Sequence, residues 1–415
     1  MRMVLFTMGS AGDVNPIVGL GVGLKNRGHS VTIVTNDHFR NLIEQVGLTF
    51  VSLGTEQDYL TAINNPDLWH PRKGLETIAR AGILPGIRPV YDLLSGYDPK
   101  ETVLGASSLI FGARVAQEKL GFRLASIHLQ PSIFRSAYRV PILPGLRLPD
   151  KTPAMFIRLI FKAVDAFVLD PLFGPETNGL RRELGFKPAT SLLGSWIHSP
   201  DRVIGLFPDW YGEPQLDWPA QTELPGFIRF DRGGQGEELT REVKAFIEDG
   251  EPPILFTAGT AMRHGHTFFS ASIEACQMSG RRGLLLTRSR GQLPAVLPDS
   301  IRHVSYIPFS KILPSVAAIV HHGGIGTLAQ GVAAGIPHLI MPMSHDQPDN
   351  ADRLKRLGIG DFLMPGNYKA AAVAQKLDRL LNTPETKARC QAIARKIDFD
   401  GSLDRACVLM EQLAV

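Results

Sequence analysis

Two short runs hold most of the residues able to do chemistry. The first is His321-His322-Gly323-Gly324-Ile325-Gly326-Thr327, set between an apolar strand segment, Ala317–Val320, and a small-residue helix expected over Leu328–Ala334. A glycine-rich turn that opens a helix presents unpaired backbone N–H groups and the positive end of the helix dipole, and such a place binds phosphate. Gly324 and Gly326 let the backbone come close, Thr327 adds a hydroxyl or caps the helix, and His322 offers an imidazole N–H. The second run is Ser344-His345-Asp346-Gln347-Pro348-Asp349-Asn350, after the apolar segment Pro337–Pro342. Asp346 falls where an N-cap would, with Pro348 in the first turn. Both loops leave the carboxyl ends of neighbouring strands and open on one crevice. One supplies phosphate donors; the other supplies a carboxylate and an amide suited to sugar hydroxyls. Together they describe a nucleotide-sugar site.

A third loop brings the one carboxylate placed to act as a base. In Gly9-Ser10-Ala11-Gly12-Asp13-Val14, Asp13 follows Gly12 at the carboxyl end of the first strand. It is either a helix-capping carboxylate or a general base facing the crevice. Gly9, Ser10 and Gly12 would line that loop near an acceptor. A matching loop, Thr257-Ala258-Gly259-Thr260, lies in the second half, where Thr257, Gly259 and Thr260 could touch a diphosphate or a sugar. Leaving-group chemistry by a metal would need an Asp-x-Asp pair at the phosphates. The sole such pair, Asp398-Phe399-Asp400, lies outside both glycine loops, so no metal or cofactor is expected. His321 must point away from His322 in an extended segment and reads as structural. His128 and His198 could lie near the acceptor, but they sit in apolar sequence, as core histidines more often do.

The elements that carry these loops follow a strand–helix rhythm. Met3–Thr7 is an apolar strand, Met8–Asn15 a loop, and Pro16–Asn26 a helix with Ile17, Leu20 and Leu24 on one face; Val31–Val34 is the next strand. The opening Val4-Leu5-Phe6-Thr7-Met8-Gly9-Ser10 recurs as Ile254-Leu255-Phe256-Thr257-Ala258-Gly259-Thr260. That recurrence suggests two Rossmann-like halves, an α/β fold with the active site in the cleft between them. A Gly- and charge-rich linker is expected near Pro225–Glu238. The division is residues 1–225, an acceptor-binding half; 226–238, a linker; 239–395, a nucleotide-sugar half; and 396–415, a terminal helix. Between residues 140 and 170 prolines cluster (Pro141, Pro144, Pro149, Pro153) before an apolar helix, Ala154–Leu169. Its bulky side chains nearly encircle it, which reads first as a buried core helix. The other reading is a wall for a greasy acceptor, with Arg158 and Lys162 near a membrane surface.

Composition excludes other classes. The 415 residues are 44% hydrophobic and 20% charged, with a net charge of +4, the balance of a soluble two-domain protein. No cluster of Lys and Arg forms a nucleic-acid face. Cys276, Cys390 and Cys407 lie far apart without metal-ligand spacing, as in a reducing compartment. The N-terminal apolar run is too short for a signal peptide or membrane span, so a cytoplasmic location is expected.

The run H-x-G-x-G-T, followed by D-Q-x-x-N-A, resembles the donor signature of the family-1 glycosyltransferases with two facing Rossmann-like domains, the GT-B fold. The likeness extends to Gly9–Val14, Trp196-Ile197-His198-Ser199-Pro200 and Asp217-Trp218-Pro219, and is nearest the bacterial rhamnosyltransferases of rhamnolipid synthesis. The resemblance implies that Asp346 and Gln347 hold the sugar and that Tyr306, Ile307 and Phe309 meet the base. It also implies that Asp13 stands where plant members have a histidine. The acidic partner of that histidine has no counterpart in Gly105-Ala106-Ser107-Ser108, so Asp13 acts alone or through water. Such an enzyme would invert the sugar carbon, need no metal, take dTDP-rhamnose or UDP-glucose as donor, and glycosylate a small hydrophobic acceptor. Weak association with a membrane surface fits the apolar helix. The alternatives are a UDP-sugar 2-epimerase on the same fold and a non-catalytic nucleotide-sugar-binding partner.

Overall fold

The computed structural model describes residues 1–142, 148–149, 152–230, 239–260, 262 and 265–414. Pro144 and most of the expected linker, residues 231–238, lie outside the described residues. Two wholly parallel sheets form the frame. The first contains β1 (Arg2–Phe6), β2 (Ser30–Thr35), β3 (Thr49–Ser52), β4 (Thr102–Ser107), β5 (Arg123–His128), β6 (Arg202–Gly205) and β7 (Thr222–Glu223), in spatial order 3-2-1-4-5-6-7. The second contains β8 (Ile254–Thr257), β9 (Gly283–Leu286), β10 (Ile301–Val304), β11 (Ala318–His321), β12 (His338–Ile340) and β13 (Gly360–Phe362), in order 10-9-8-11-12-13. β1 and β8 therefore hold the same place in their sheets, beside the point where the strand order reverses. That is where an open α/β sheet leaves a crevice at its carboxyl edge. The repeated Leu-Phe-Thr-x-Gly-Ser/Thr segment marks both.

Burial explains why these segments are strands. Met3–Phe6 and Ile254–Thr257 are buried along their whole length, as central parallel strands covered on both faces must be. Register sets the loops level: Thr257 pairs with His321, and His321 with Ile340. The loops after β8, β11 and β12 thus leave one edge together.

The first helix differs from the expectation. It runs Ala11–Asn26, not from Pro16, because Ser10 and Asp13 form a capping box that starts it five residues earlier. Pro16 lies inside it and has no N–H to give the Gly12 carbonyl. Likewise the helix after the glycine turn spans Ile325–Ala333, with Gly324 as its N-cap, so Thr327 lies in its first turn and does not cap it.

The two halves share a core. Val14, Ile17 and Val18 of the first helix belong to one buried cluster with Ile325, Leu328, Ala329 and Val332. The terminal helix, Phe399–Glu411, lies on the first helix. Arg27 Nη1 reaches Asp404 at 2.6 Å and Nη2 reaches Glu411 at 2.7 Å, while His29 Nε2 lies 2.8 Å from Glu411. Arg123 Nη1 donates to the Leu413 carbonyl at 3.0 Å. Cys276, Cys390 and Cys407 are buried free thiols, each pushed up to about 12 by burial. Among the described residues no helix is long and apolar enough to cross a membrane.

The apolar helix is a correction. Ala154–Val164 continues into a wider turn, Asp165–Leu169, yet only Ile157, Asp165 and Leu169 of these residues are buried. Met155, Phe156, Leu159, Phe167 and Val168 are each more than half exposed. It is not a core helix: one side rests on the N-terminal half, and its largest side chains face outward.

Met410, fully buried on the inner side of the terminal helix, lies with its methyl 3.2 Å from where a Cβ on Gly105 of β4 would stand. Met410→Ala would empty this space and should cost about 2–4 kcal/mol, read by chemical denaturation. A loss below about 1 kcal/mol would show that the terminal helix does not brace the core.

Candidate active site

The site is built where the first turns of two helices meet. A Cβ on Gly326 would lie 3.9 Å from Gly12 Cα and 4.0 Å from the Gly12 oxygen, so the helices starting at Ala11 and Ile325 approach backbone to backbone. On one side, Ser10 caps the first helix. The Ser10 backbone N–H donates to Asp13 Oδ2 at 2.8 Å and the Ser10 hydroxyl donates to it at 3.0 Å. Asp13 is thus both a capping carboxylate and a carboxylate at the cleft. Burial raises its pKa, while the two Ser10 hydrogen bonds oppose the rise. On the other side, Ile325, Gly326 and Thr327 have no preceding helical carbonyl for their N–H groups, and no side chain caps them. Their donors and the helix dipole are left for an anion.

Each half spends a glycine of positive φ to seat its working side chain. Gly9 (φ 125°) leaves room for Asp13, whose Oδ2 would lie 2.4 Å from a Cβ there. Gly259 (φ 92°) leaves room for His322, whose Cε1 would lie 2.6 Å from a Cβ. Gly324 presses on the same imidazole from the other side, at 2.4 Å from Nε2 to its would-be Cβ. His322 is therefore wedged between the glycine loops of β8 and β11. Burial lowers its pKa to about 4, so the ring is neutral, and its Nδ1 is buried without a hydrogen-bond partner among the described residues. An orphaned imidazole nitrogen beside an uncapped helix N-terminus fits a ligand atom.

The sugar loop is held from both halves. Asp346 occupies the N-cap position of the helix Gln347–Leu357, but its carboxylate does not cap: Oδ2 accepts from Asn350 Nδ2 at 2.6 Å. Gln347 turns its amide oxygen back to the N–H groups of Met343 (2.8 Å) and Ser344 (3.4 Å), leaving its amino end for a ligand. Burial and the nearby Asp13 raise Asp346 to about 7. Two carboxylates sharing a cleft cannot both ionise cheaply.

Sequence reasoning missed what anchors this loop. The buried Tyr211 hydroxyl donates to Asn350 Oδ1 at 2.7 Å, and Asn350 Nδ2 also reaches the Gly323 carbonyl at 2.9 Å. Arg353 pairs with Asp349 at 2.6 Å and donates to the Tyr211 carbonyl at 2.9 Å. His345, with φ 59°, reaches the Leu68 carbonyl at 2.9 Å and lies edge-on to Trp69. Asn350 was visible in the motif, but nothing around Tyr211 or Trp69 signalled a role.

The remaining residues divide. Thr257 is buried and accepts the Gly259 N–H at 3.4 Å, which shapes the loop; Thr260 is exposed at its rim. Tyr306 follows β10 with Arg288 over its ring at 4.9 Å. Ile307 is buried in a cluster with Leu255, Ile312 and Ile319, and the partly buried Phe309 packs on that cluster. His321 accepts the Gly323 N–H on Nδ1 at 3.1 Å and lies 3.0 Å from His338, a structural role. Asp398 caps the terminal helix, accepting the Gly401 N–H at 2.8 Å.

Comparison with known proteins agrees with this geometry. Residues 3–138 match the profile of the glycosyltransferase family 28 N-terminal domain, and residues 284–399 that of the erythromycin biosynthesis protein CIII-like C-terminal domain. The chain is 28% identical to the O-mycaminosyltylonolide 6-deoxyallosyltransferase of Streptomyces fradiae, across 100% of this chain and 98% of that protein. It is 28% identical to the glycosyltransferase GtfE of Amycolatopsis orientalis, across 99% and 97%. In fold it is similar to the kitacinnamycin glycotransferase (TM-score 0.72, 19% identity, 99% and 98% covered). It is also similar to the glycosyltransferase VinC in complex with dTDP (TM-score 0.67, 18% identity, 100% and 99% covered).

The Asp346 assignment has a testable consequence. A folded-state pKa near 7, against about 4 when unfolded, means the native state binds the extra proton, so this group lowers stability as pH rises from 4 to 7. Asp346→Asn removes that dependence, while the buried histidines titrate equally in both proteins. The melting temperature of the variant minus that of the wild type should climb between pH 4 and 7 and then level. A flat or falling difference would show that Asp346 ionises normally.

With two glycosyltransferase profiles, relatives matched along their full length and two like-ordered parallel sheets meeting at a glycine turn, the chain is a glycosyltransferase of GT-B fold.

Proposed function

We propose that the enzyme transfers a sugar from a nucleoside-diphosphate sugar, of the dTDP-rhamnose or UDP-glucose type, to a hydroxyl of a small hydrophobic acceptor, inverting the sugar carbon without a metal. The carrying observation is the meeting of Gly12, the neighbour of Asp13, with the helix end at Gly326. A base stands on the acceptor side, residues 1–225, and open N–H donors stand on the donor side, residues 239–395. Asp13 takes the acceptor proton as its oxygen attacks the sugar carbon. The N–H groups of Ile325, Gly326 and Thr327, with neutral His322, receive the growing negative charge on the diphosphate. Asp346 and the amino end of Gln347 hold the sugar hydroxyls in line. One attacking oxygen and no protein nucleophile give inversion. An epimerase needs no acceptor base, and a glycosyltransferase relationship over the whole chain sets both alternatives aside. The similarity to a dTDP-bound glycosyltransferase supports a thymidine donor.

The test incubates dTDP- and UDP-sugars with hydroxy-fatty acids, phenols, macrolides and free sugars, in excess EDTA, and reads product mass and anomeric configuration. Inverted glycosides of the apolar acceptors, formed at full rate in EDTA, are expected. Preference for free sugars, retention of configuration, or loss of activity restored by magnesium would overturn the corresponding part.

The helix at Ala154–Leu169 supports placement at an anionic lipid surface. Its outward face joins Met155, Phe156, Leu159, Phe167 and Val168 to Arg158 and Lys162, and its one carboxylate before Asp170, Asp165, is buried against Arg135. Apolar area with flanking cations and no exposed anion suits phosphatidylglycerol-rich membranes. The protein should sediment with such vesicles at low salt, and Phe167→Ser with Leu159→Ser should abolish this while activity on a water-soluble phenol persists. Equal binding to neutral vesicles, or none, would contradict it.

A further inference from the structure

A second polar chain lies at the carboxyl edge of the first sheet, unused by the mechanism above. Ser108, just past β4, has its Oγ 2.7 Å from His128 Nδ1, at the end of β5. His128 Nε2 lies 2.9 Å from His198 Nδ1. Both rings are buried: Phe134 meets His128 edge-on and stacks on His198, and Trp218 stacks on Phe134. Ser108 alone is partly exposed. The pairing of Phe6 with Ala106 puts the end of β4 beside the end of β1, whose loop carries Ser10 and Asp13. The chain therefore opens on the acceptor side of the same cleft.

Buried polar groups persist when a network satisfies them, and this one has two polarities. In one, Ser108 donates to His128 and shows a lone pair to the cleft. In the other, His198 Nδ1–H donates to His128 Nε2, His128 Nδ1–H donates to Ser108 Oγ, and the Ser108 hydroxyl hydrogen is free. The groups facing the two rings are Ser108, Arg135 and the aromatic side chains. Burial, with Arg135 beside it, lowers His198 to about 4, and burial, then His198, lowers His128 well below its usual value. A proton cannot rest on this chain, so it is not the base. Only the second polarity leaves a hydroxyl hydrogen on Ser108 for a ligand in the cleft.

Resting on the transferase reading above, we propose that Ser108 binds the acceptor hydroxyl: its O–H donates to the acceptor oxygen, with His128 and His198 as positioning residues that fix its direction. The acceptor's own hydrogen is then left to point at Asp13, where the proton goes as the oxygen–sugar bond forms and the bond to the diphosphate breaks. The ligand class is an alcohol or phenol. This supplies, by a neutral route, the orientation that a carboxylate partner would give.

The probe is 4-methylumbelliferone with the preferred sugar nucleotide. Ser108→Ala should raise its KM about tenfold, the weight of one hydrogen bond, leave the dissociation constant of the free nucleotide unchanged, and be rescued within threefold by Ser108→Thr. Nitrogen-15 NMR of the wild type should place the protons of His128 and His198 on Nδ1. Protons on Nε2 would overturn the proposal, as would a KM within twofold of wild type, an equal loss in nucleotide affinity, or no rescue by threonine. If the wild type glycosylates neither alcohols nor phenols, the acceptor reading has failed, and the NMR polarity still decides the role of Ser108.

Discussion

The structure depends on one close approach: the first turn of the helix at Ala11 against the first turn of the helix at Ile325, with glycine facing glycine. Two helix N-termini directed at one crevice gather positive potential and N–H donors there. The first is already satisfied by Ser10 and Asp13. The second is not, so the donor side stays open for a diphosphate while the acceptor side keeps its carboxylate. A Cβ at Gly326 would already be in van der Waals contact with Gly12, so a bulkier side chain there would reach into the contact between these ends. The shared apolar cluster of Val14, Ile17, Leu328 and Val332 holds them at this distance.

The halves solve the same packing problem with opposite chemistry. After β1, Gly9 turns so that a carboxylate can fold back on its own helix; after β8, Gly259 turns so that an imidazole from β11's loop can fill the space. The outcome is a buried carboxylate on one wall and a neutral imidazole on the other. Confinement raises Asp13 and Asp346 together, and it holds His322 neutral, able to donate without attracting the base. The sugar loop, fixed through Tyr211, Asn350 and Leu68, ties donor geometry to the acceptor half.

The sequence was legible where local rules act alone. Apolar runs of four or five residues marked the buried strands, and the repeated Leu-Phe-Thr-x-Gly opening marked the first strand of each sheet. The glycine turn into its helix and the helix start at Asp346-Gln347 were visible because glycine spacing and helix-start signals are local. Helix starts were misplaced because Pro16 outweighed the Ser10–Asp13 box in the reading, whereas in the fold the box wins. The helix at Ala154 was read as core because an apolar helix reports only that it seeks cover, not which side finds it. Tyr211 and Trp69 left no trace, and His128 and His198 were visible as residues but not as a chain with Ser108, since each works through partners distant in sequence.

The most direct test of the account is Asp13→Asn, which keeps the Ser10 cap as an acceptor through its amide oxygen but cannot take a proton. Turnover measured with the best acceptor should fall by about 100-fold or more, the weight of a general base, while the dissociation constant of the nucleotide stays within about twofold. Turnover within a few-fold of wild type would contradict the account, leaving Asp13 as the capping carboxylate alone.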